Sequence, residues 1–400
     1  MRAALLTNIL PPYRMPVYHD LAVTPGWRWR FFTNAATEVG RSWRVDSGDL
    51  DVEQVRSFSF RRRFAFRRQG DQVVTAYLPL GLLGALRRFE PDVVVSAELG
   101  ARTLLALLYC RVFGVPLVIW SYHSRVSSSV GGRSLQTFRR LLLSCADAVV
   151  GMGAEARRVL SDFGVPSERI FDAPNAHDRD GLEKALADAD SGAPRTLQQE
   201  GGGREHYREH VALVVGRLVP AKGIEPLFDA WDDLPPSVRG RWTLLFVGDG
   251  PLAPRVQSAS RSRSTGEIFL IPAVQPEELA AYYGGADLLI FPSLGDPWGL
   301  VVNEALACGL PVLCSSRAGC ATDLVLPGRN GWIVDPLETP KLTATLLEAL
   351  DHPDLSRLGE CARGTARRFS PERMADGIRR AVTHAAAARP RRAHQAAPAR

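Results

Sequence analysis

No Cys-x-x-Cys pair occurs among the six cysteines, at 110, 145, 308, 314, 320 and 361. A disulfide framework or a zinc site calls for closer, paired spacing, so these residues read as reduced core positions. No apolar run reaches the ~18 residues of a membrane span; the longest candidate, Thr103–Trp120, is broken by Arg111 and Pro116. The apolar stretch of the opening MRAALLTNILPPYR is too short for a secretory signal and runs into a proline pair, so Arg2–Thr7 reads as a first strand. The expected setting is cytoplasmic, with peripheral contact at the inner membrane face. Lysine is scarce, three of 49 basic residues, which coding bias explains as readily as function. A G-x-G-x-x-G fingerprint after the first strand is missing, which argues against an NAD enzyme, and no G-x-S-x-G elbow is present. What is present is apolar material for large cores, 46% hydrophobic against 23% charged. At roughly 150 residues per domain, the length makes two or three domains.

The net charge of +6 is unevenly spread. Residues 1–175 hold 23 arginines against 15 acids, residues 176–383 hold 22 basic residues against 28 acids, and 384–400 hold four arginines and no acid. The densest patch, RSFSFRRRFAFRR at Arg56–Arg68, has six arginines, four phenylalanines and no acid. Such interleaving suits an anionic membrane face better than nucleic acid, and an exposed loop with an edge strand accounts for it equally well. The tail at 389–400 is low in complexity and expected to be disordered.

Short apolar runs alternate with amphipathic stretches along the chain. Strands are expected at 2–7, 28–33, 92–97, 116–121, 147–151 and 169–172, with helices at 14–23, 79–88, 101–113, 133–145 and 153–163. Runs such as PDVVVSA, apolar on both faces, imply a parallel sheet. Residues 176–209 are polar, carry Gly201–Gly203 and read as an interdomain linker. A second series follows, with strands at 211–216, 242–248, 267–271, 287–291, 311–314 and 331–334, and helices at 222–234, 250–260, 276–284, 299–308 and 338–350. Helical patterns at 354–368 and 371–387 complete it. The expected fold class is α/β, two doubly wound Rossmann-like domains (1–175 and 210–370) facing across a cleft, with a 371–388 helix packing back on the first.

In HVALVVGRLVPAKG, a buried strand ends at Gly216, then come Arg217 and Lys222 before a helix. Glycine permits close ligand approach, and two cations with a helix start supply the positive potential a diphosphate needs. A βα turn with two solvated cations explains the segment equally well. In GDPWGLVVNEALACG, Glu304 lies in an apolar helix, where an unpartnered carboxylate would cost several kcal/mol. It therefore faces a polar cleft, where ribose hydroxyls would satisfy it, or pairs with a cation. Asp296 lies in the loop before that helix and reads either as a ligand contact or as a turn residue.

GRLVPAKG, VGDGP, DPWGLVVNE and PGRNGWIVDP together resemble the retaining GT-B glycosyltransferases of family 4, over about residues 2–375. The resemblance implies sugar transfer from a nucleotide-diphosphate sugar, UDP- or GDP-linked, with retention of anomeric configuration and without metal or other cofactor. It places Arg217 and Lys222 on the diphosphate, Glu304 on the ribose, and Asp296 with the backbone of Trp298, Gly299 and Leu300 on the donor sugar. Gly248 and Gly250 shape the nucleotide wall, and the base lies near Ala273 and Val274. It also marks His123, in SYHSR after the 116–121 strand, as a residue near the reaction centre, where a surface-loop reading is the plain alternative. Arg14 and Glu98, just past strand ends facing the same cleft, read either as acceptor contacts or as helix-start electrostatics. Four departures stand out: Asp296 and Asp323 where the family usually has Glu, PPYR at 11–14 where many members have a Gly-rich turn, and PNAHD at 174–178 for the commoner PNGVD. The formal DxD pairs, Asp49/Asp51 and Asp188/Asp190, sit in a polar loop and the linker, poorly placed for a metal-dependent GT-A enzyme. The expected reaction is front-face, with the leaving phosphate taking the acceptor proton. The expected acceptor is a lipid-linked glycan in polysaccharide or glycolipid assembly. The competing readings are a non-catalytic nucleotide-sugar-binding module, an enzyme acting on the nucleotide sugar alone, and a glycosyltransferase for soluble natural products.

Overall fold

The computed structural model describes residues 1–37, 46–66, 70–128, 132–190, 207–263 and 267–388. The 389–400 tail therefore lies outside the described residues. Strands β1 (Arg2–Thr7), β2 (Arg28–Thr33), β3 (Val52–Gln54), β6 (Val93–Ala97), β7 (Leu117–Ser121), β8 (Ala148–Gly151) and β9 (Ile170–Asp172) form one parallel sheet, ordered β3-β2-β1-β6-β7-β8-β9. Between β3 and β6 the chain makes a separate antiparallel hairpin, β4 (Phe58–Phe66) and β5 (Gly70–Leu78). A second parallel sheet, ordered β12-β11-β10-β13-β14-β15, is built from β10 (His210–Val215), β11 (Trp242–Val247), β12 (Ile268–Ile271), β13 (Leu288–Phe291), β14 (Val312–Ser315) and β15 (Gly331–Val334).

Both sheets are covered on both faces, which is why their strands read as unbroken apolar runs. On β1, Ala3 and Leu5 join one core while Ala4 and Leu6 join the opposite one. On β10, Leu213 and Val215 face one layer, Ala212 and Val214 the other. Cys110, Cys308, Cys314 and Cys320 are buried, Cys145 and Cys361 half-buried, and none is in a disulfide. No helix among the described residues is long and apolar enough to cross a membrane.

The polar 176–209 segment is not without structure: Arg179–Asp190 is a helix that packs against the Pro276–Gly284 helix of the second sheet's layer. Its alternation of Ala and Leu with acids carries the 3.6-residue period, which polar composition alone obscures. The last helix, Pro371–Ala388, returns to the first sheet, where Met374, Ile378, Ala381, Val382 and Ala385 enter its core. It sits so close to β9 that a Cβ at Gly377 would fall 2.2 Å from the Asp172 carbonyl oxygen. Polar contacts among the described residues then join the two halves. The Ala154 amide donates to both carboxylate oxygens of Asp323, at 3.2 and 3.0 Å, and Asn303 Nδ2 donates to the Asn175 carbonyl at 3.2 Å.

In each sheet the strand order reverses between two neighbours, β1/β6 in the first and β10/β13 in the second. Loops leaving the carboxyl ends of such a pair diverge and leave a crevice, the usual ligand position in doubly wound folds. Both crevices hold residues singled out from sequence.

Candidate functional site

At the β10/β13 crevice, the loop after β10 carries Gly216, Arg217 and Lys222, and the loop after β13 carries Asp296, Trp298 and Gly299. Glycines let these loops touch. Gly223 has φ +70°, and a Cβ there would lie 2.0 Å from the Pro292 carbonyl oxygen, closing the β10 loop onto the β13 loop. Gly248, after β11, has φ +155°, and its Cβ would lie 2.0 Å from the Gly216 oxygen.

Lys222 Nζ donates to Asp296 Oδ2 at 2.7 Å and stands 5.2 Å from the Phe291 ring centroid. Asp296 Oδ1 accepts from the Trp298 amide at 3.0 Å. Burial alone would raise the Asp296 carboxyl's pKa. The Lys222 ammonium and the Trp298 and Gly299 amides outweigh it and hold the carboxyl below its ordinary value. The backbone at 298–299 thus serves Asp296 in this structure. Gly299, at φ +101°, starts the Leu300–Cys308 helix. The Trp298 indole is buried and donates to Asn303 Oδ1 at 2.7 Å, so that side chain belongs to the core. Arg217 is exposed and makes no ion pair among the described residues.

Glu304 projects from that helix and accepts from the Tyr283 hydroxyl at 2.7 Å through Oε2. Its partner in the protein is therefore a phenol, not a cation. Burial pushes the Glu304 carboxyl up, partly offset by that hydrogen bond. Val274 is half-buried beside the same core, in the loop after β12.

The β1/β6 crevice gathers a second group. Arg14 is 8% exposed, its guanidinium carbon 5.0 Å from the Trp120 ring centroid and 4.3 Å from that of Tyr122, with Nη1 donating to the Tyr122 hydroxyl at 2.7 Å. Glu98 has φ +74°, an unusual value for a residue with a side chain, and its oxygens accept from Asn8 Nδ2 at 2.9 and 3.0 Å. Arg102, also buried, donates to Asn8 Oδ1 at 2.6 Å and lies 3.5 Å from Glu98 Oε2. His123 follows β7, with Nδ1 3.2 Å from Ser121 Oγ. Burial, reinforced by the Arg139 charge, pushes its ring down to about 4. Sequence reasoning did not single out Arg102, Asn8, Tyr122 or Tyr283. An arginine at the second position of an apolar helix, where a cation opposes the helix dipole, is a signal that could have flagged Arg102; nothing local separates Tyr283 from Tyr282.

Two family models match the chain: glycosyltransferase family 4 over residues 23–180 and glycosyl transferases group 1 over residues 202–364. Among curated proteins, the sulfoquinovosyl transferase of Arabidopsis thaliana is 26% identical over 308 residues, 72% of this chain and 56% of that protein. The D-inositol 3-phosphate glycosyltransferase of Segniliparus rotundus is 34% identical over 179 residues, 42% of this chain and 39% of that protein. The chain spans about half the length of the curated relatives it matches. Among solved structures, Anabaena HepE in complex with UDP superposes with a TM-score of 0.69 at 19% identity, covering 96% of this chain and 100% of that one, a likeness of fold.

The His123 geometry makes a testable statement about pH. An imidazole near 4 when folded and about 6.5 when unfolded contributes stability that is present above pH ~6.5 and lost as pH falls through about 4. Glu155, Glu304 and Asp323, pushed up by burial, act in the opposite sense, so the comparison is between wild type and His123→Gln. Between pH 7.5 and 5 wild type should lose about 2 kcal/mol more than the variant in urea denaturation. A His123 ring proton that titrates near 6.5 by NMR would contradict this.

With its two halves each matched by a family model, and with the strand order of a two-domain GT-B fold, the chain belongs to the glycosyl transferases group 1 family, with a family 4 amino-terminal domain.

Proposed function

We propose that this chain is a retaining, metal-independent glycosyltransferase of hexosyl type, moving a sugar from a UDP- or GDP-linked donor to an acceptor hydroxyl. The observation that carries the reading is the β10/β13 crevice, where Lys222 pairs with Asp296, Arg217 lies exposed on the same loop as Lys222, and Glu304 stands on the helix that follows Gly299. The UDP held by HepE, a protein of the same fold, favours a uridine donor. Residues 210–370 then bind the donor and 1–175 the acceptor, with Val274 beside the base and Gly216 and Gly248 giving the nucleotide room.

Arg217 and Lys222 would stabilise the charge that develops on the departing diphosphate, the largest single contribution such a site offers. Lys222 arrives already oriented by Asp296, so it needs little reorganisation. Glu304 keeps acceptor capacity for ribose hydroxyls while Tyr283 holds one of its oxygens. With its ring held near 4, His123 would act as a neutral hydrogen-bonding group at the sugar rather than as a cation. Arg14 and Glu98 line the acceptor side.

The acceptor reading, a lipid-linked glycan in polysaccharide or glycolipid assembly, rests on one surface of the first domain. The hairpin β4–β5 and the helices Leu82–Phe89, Ala101–Phe113 and Arg133–Ser144 adjoin one another. They expose Phe58, Leu80, Leu108, Val112 and Leu141, each more than half accessible. Arg56, Arg87, Arg111 and Arg140 are exposed on the same elements or their flanks. Apolar side chains ringed by guanidinium groups suit an anionic lipid surface. Of the Arg56–Arg68 patch, Arg67 and Arg68 lie outside the described residues, as do the side chains of residues 61–66.

Arg217→Ala should lower turnover about 100-fold while changing folding stability by less than about 0.5 kcal/mol, since the side chain is exposed; near-normal turnover would refute the assignment. Lys222→Ala is the poorer probe because it also strands Asp296. For the membrane, wild type should float with phosphatidylglycerol vesicles at low salt and dissociate at high salt. Leu108→Glu/Val112→Glu should reduce the bound fraction at least fivefold, and absence of flotation at low salt would remove the membrane reading.

A further inference from the structure

The donor and acceptor crevices leave one buried imidazole unused. After β9 the chain crosses between domains through PNAHD (174–178) and enters the Arg179–Asp190 helix. It crosses back after the Leu355–Ala366 helix, through Phe369 and Ser370, into Pro371–Ala388. Between the two crossings lies a cavity of about 120 Å³, lined by His177, Arg179, Glu183, Arg363, Arg367 and Ser370 among others. One water needs only ~10–15 Å³ on this measure, so the space suits a ligand of several atoms.

His177 is 3% exposed, and neither Nδ1 nor Nε2 has a hydrogen-bond partner among the described residues. A buried ring with both nitrogens unsatisfied is costly and calls for a ligand or water. The lining places three guanidinium groups against the single carboxylate of Glu183. Arg179 is already offset by Asp180, with Glu372 and Glu183 near. Arg363 spends Nη2 on the Cys308 carbonyl at 3.2 Å, and the Arg367 guanidinium makes no hydrogen bond or ion pair among the described residues. Ser370 Oγ accepts from the Arg373 amide at 3.3 Å and so caps an 18-residue helix, whose positive end lies at the cavity wall.

We propose that this cavity binds a small tetrahedral oxyanion, phosphate or a phosphomonoester, held by Arg363, Arg367 and His177. One ring nitrogen would donate to the anion, and the other, pointing away across the ring, would be satisfied by a water. Bound there, the anion ties the two chain crossings together and braces the hinge about which the domains move. Ala307, three residues beyond Glu304 on the same helix, also lines the cavity, which links the brace to the donor side. The site is separate from the donor crevice and stands or falls independently of the glycosyltransferase reading.

Thermal denaturation under a phosphate titration, with ionic strength matched by sodium chloride, tests it. Wild type and Arg217→Ala should both show a saturable rise in melting temperature. Arg367→Gln and His177→Val should weaken the apparent Kd at least tenfold. If His177→Val fails to fold, Arg367→Gln, at an exposed position, still decides. Glycerol 3-phosphate as a second titrant separates the sources: stabilisation equal to that of phosphate assigns a phosphomonoester, and a response to inorganic phosphate alone assigns the free ion. The proposal is overturned if wild type shows no saturable response. It is equally overturned if Arg217→Ala removes the response while Arg367→Gln keeps it.

Discussion

The Lys222–Asp296 ion pair is the contact on which the β10/β13 crevice depends. It joins the loops after β10 and β13 where the strand order reverses, with the two side chains 27% and 20% exposed. Desolvating both charges is expensive, and such pairs seldom add net stability over apolar packing. Its value lies elsewhere. It fixes an ammonium at the mouth of the crevice and uses the amides of the following helix start to hold the carboxylate ionised. Loop contact at that distance requires the close approach made possible by Gly223 against Pro292. A side chain at 223 would separate the two loops, and the cation with them.

The two crevices solve opposite electrostatic problems. At the β10/β13 crevice Arg217 is exposed and makes no ion pair among the described residues, while Lys222 is held by Asp296. On the other side Arg14 and Arg102 are buried, held by aromatic rings, Asn8 and a single carboxylate, Glu98, whose backbone is in an unfavourable conformation. Strain of that kind persists only where surrounding contacts impose it, and it gathers at functional sites. The domains meet through few polar contacts, among them Asp323 on the Ala154 amide and Asn303 on the Asn175 carbonyl. Interfaces of this type allow opening and closing.

Much of the architecture was legible because strands buried on both faces leave long apolar runs, and because glycine marks each sharp exit, as at Gly216 and Gly299. The β4–β5 hairpin was not resolved as two strands, since its arginines and phenylalanines read as an exposed patch. The Arg179–Asp190 helix was obscured by its acids. At the site, the motif residues sit on the β10 and β13 loops, but their partners were invisible. Asp296 could be placed in a loop, yet its pairing with Lys222 comes from tertiary contact across 74 residues. Glu304 called for a partner, and sequence offered no means of choosing the Tyr283 hydroxyl over a cation. Asn8 and Arg102 meet only because β1 and β6 are neighbours in the sheet.

The central claim is that the β10/β13 crevice is a nucleotide-sugar donor site that works without metal. Thermal denaturation with UDP, GDP and their sugar conjugates, with and without EDTA, tests it most directly. A ligand at a hundred times its Kd should add about 2.7 kcal/mol. The account predicts a saturable rise for one nucleoside diphosphate, unchanged by EDTA and lost in Glu304→Ala. No rise with any of these nucleotides, or a rise that EDTA abolishes, would contradict it.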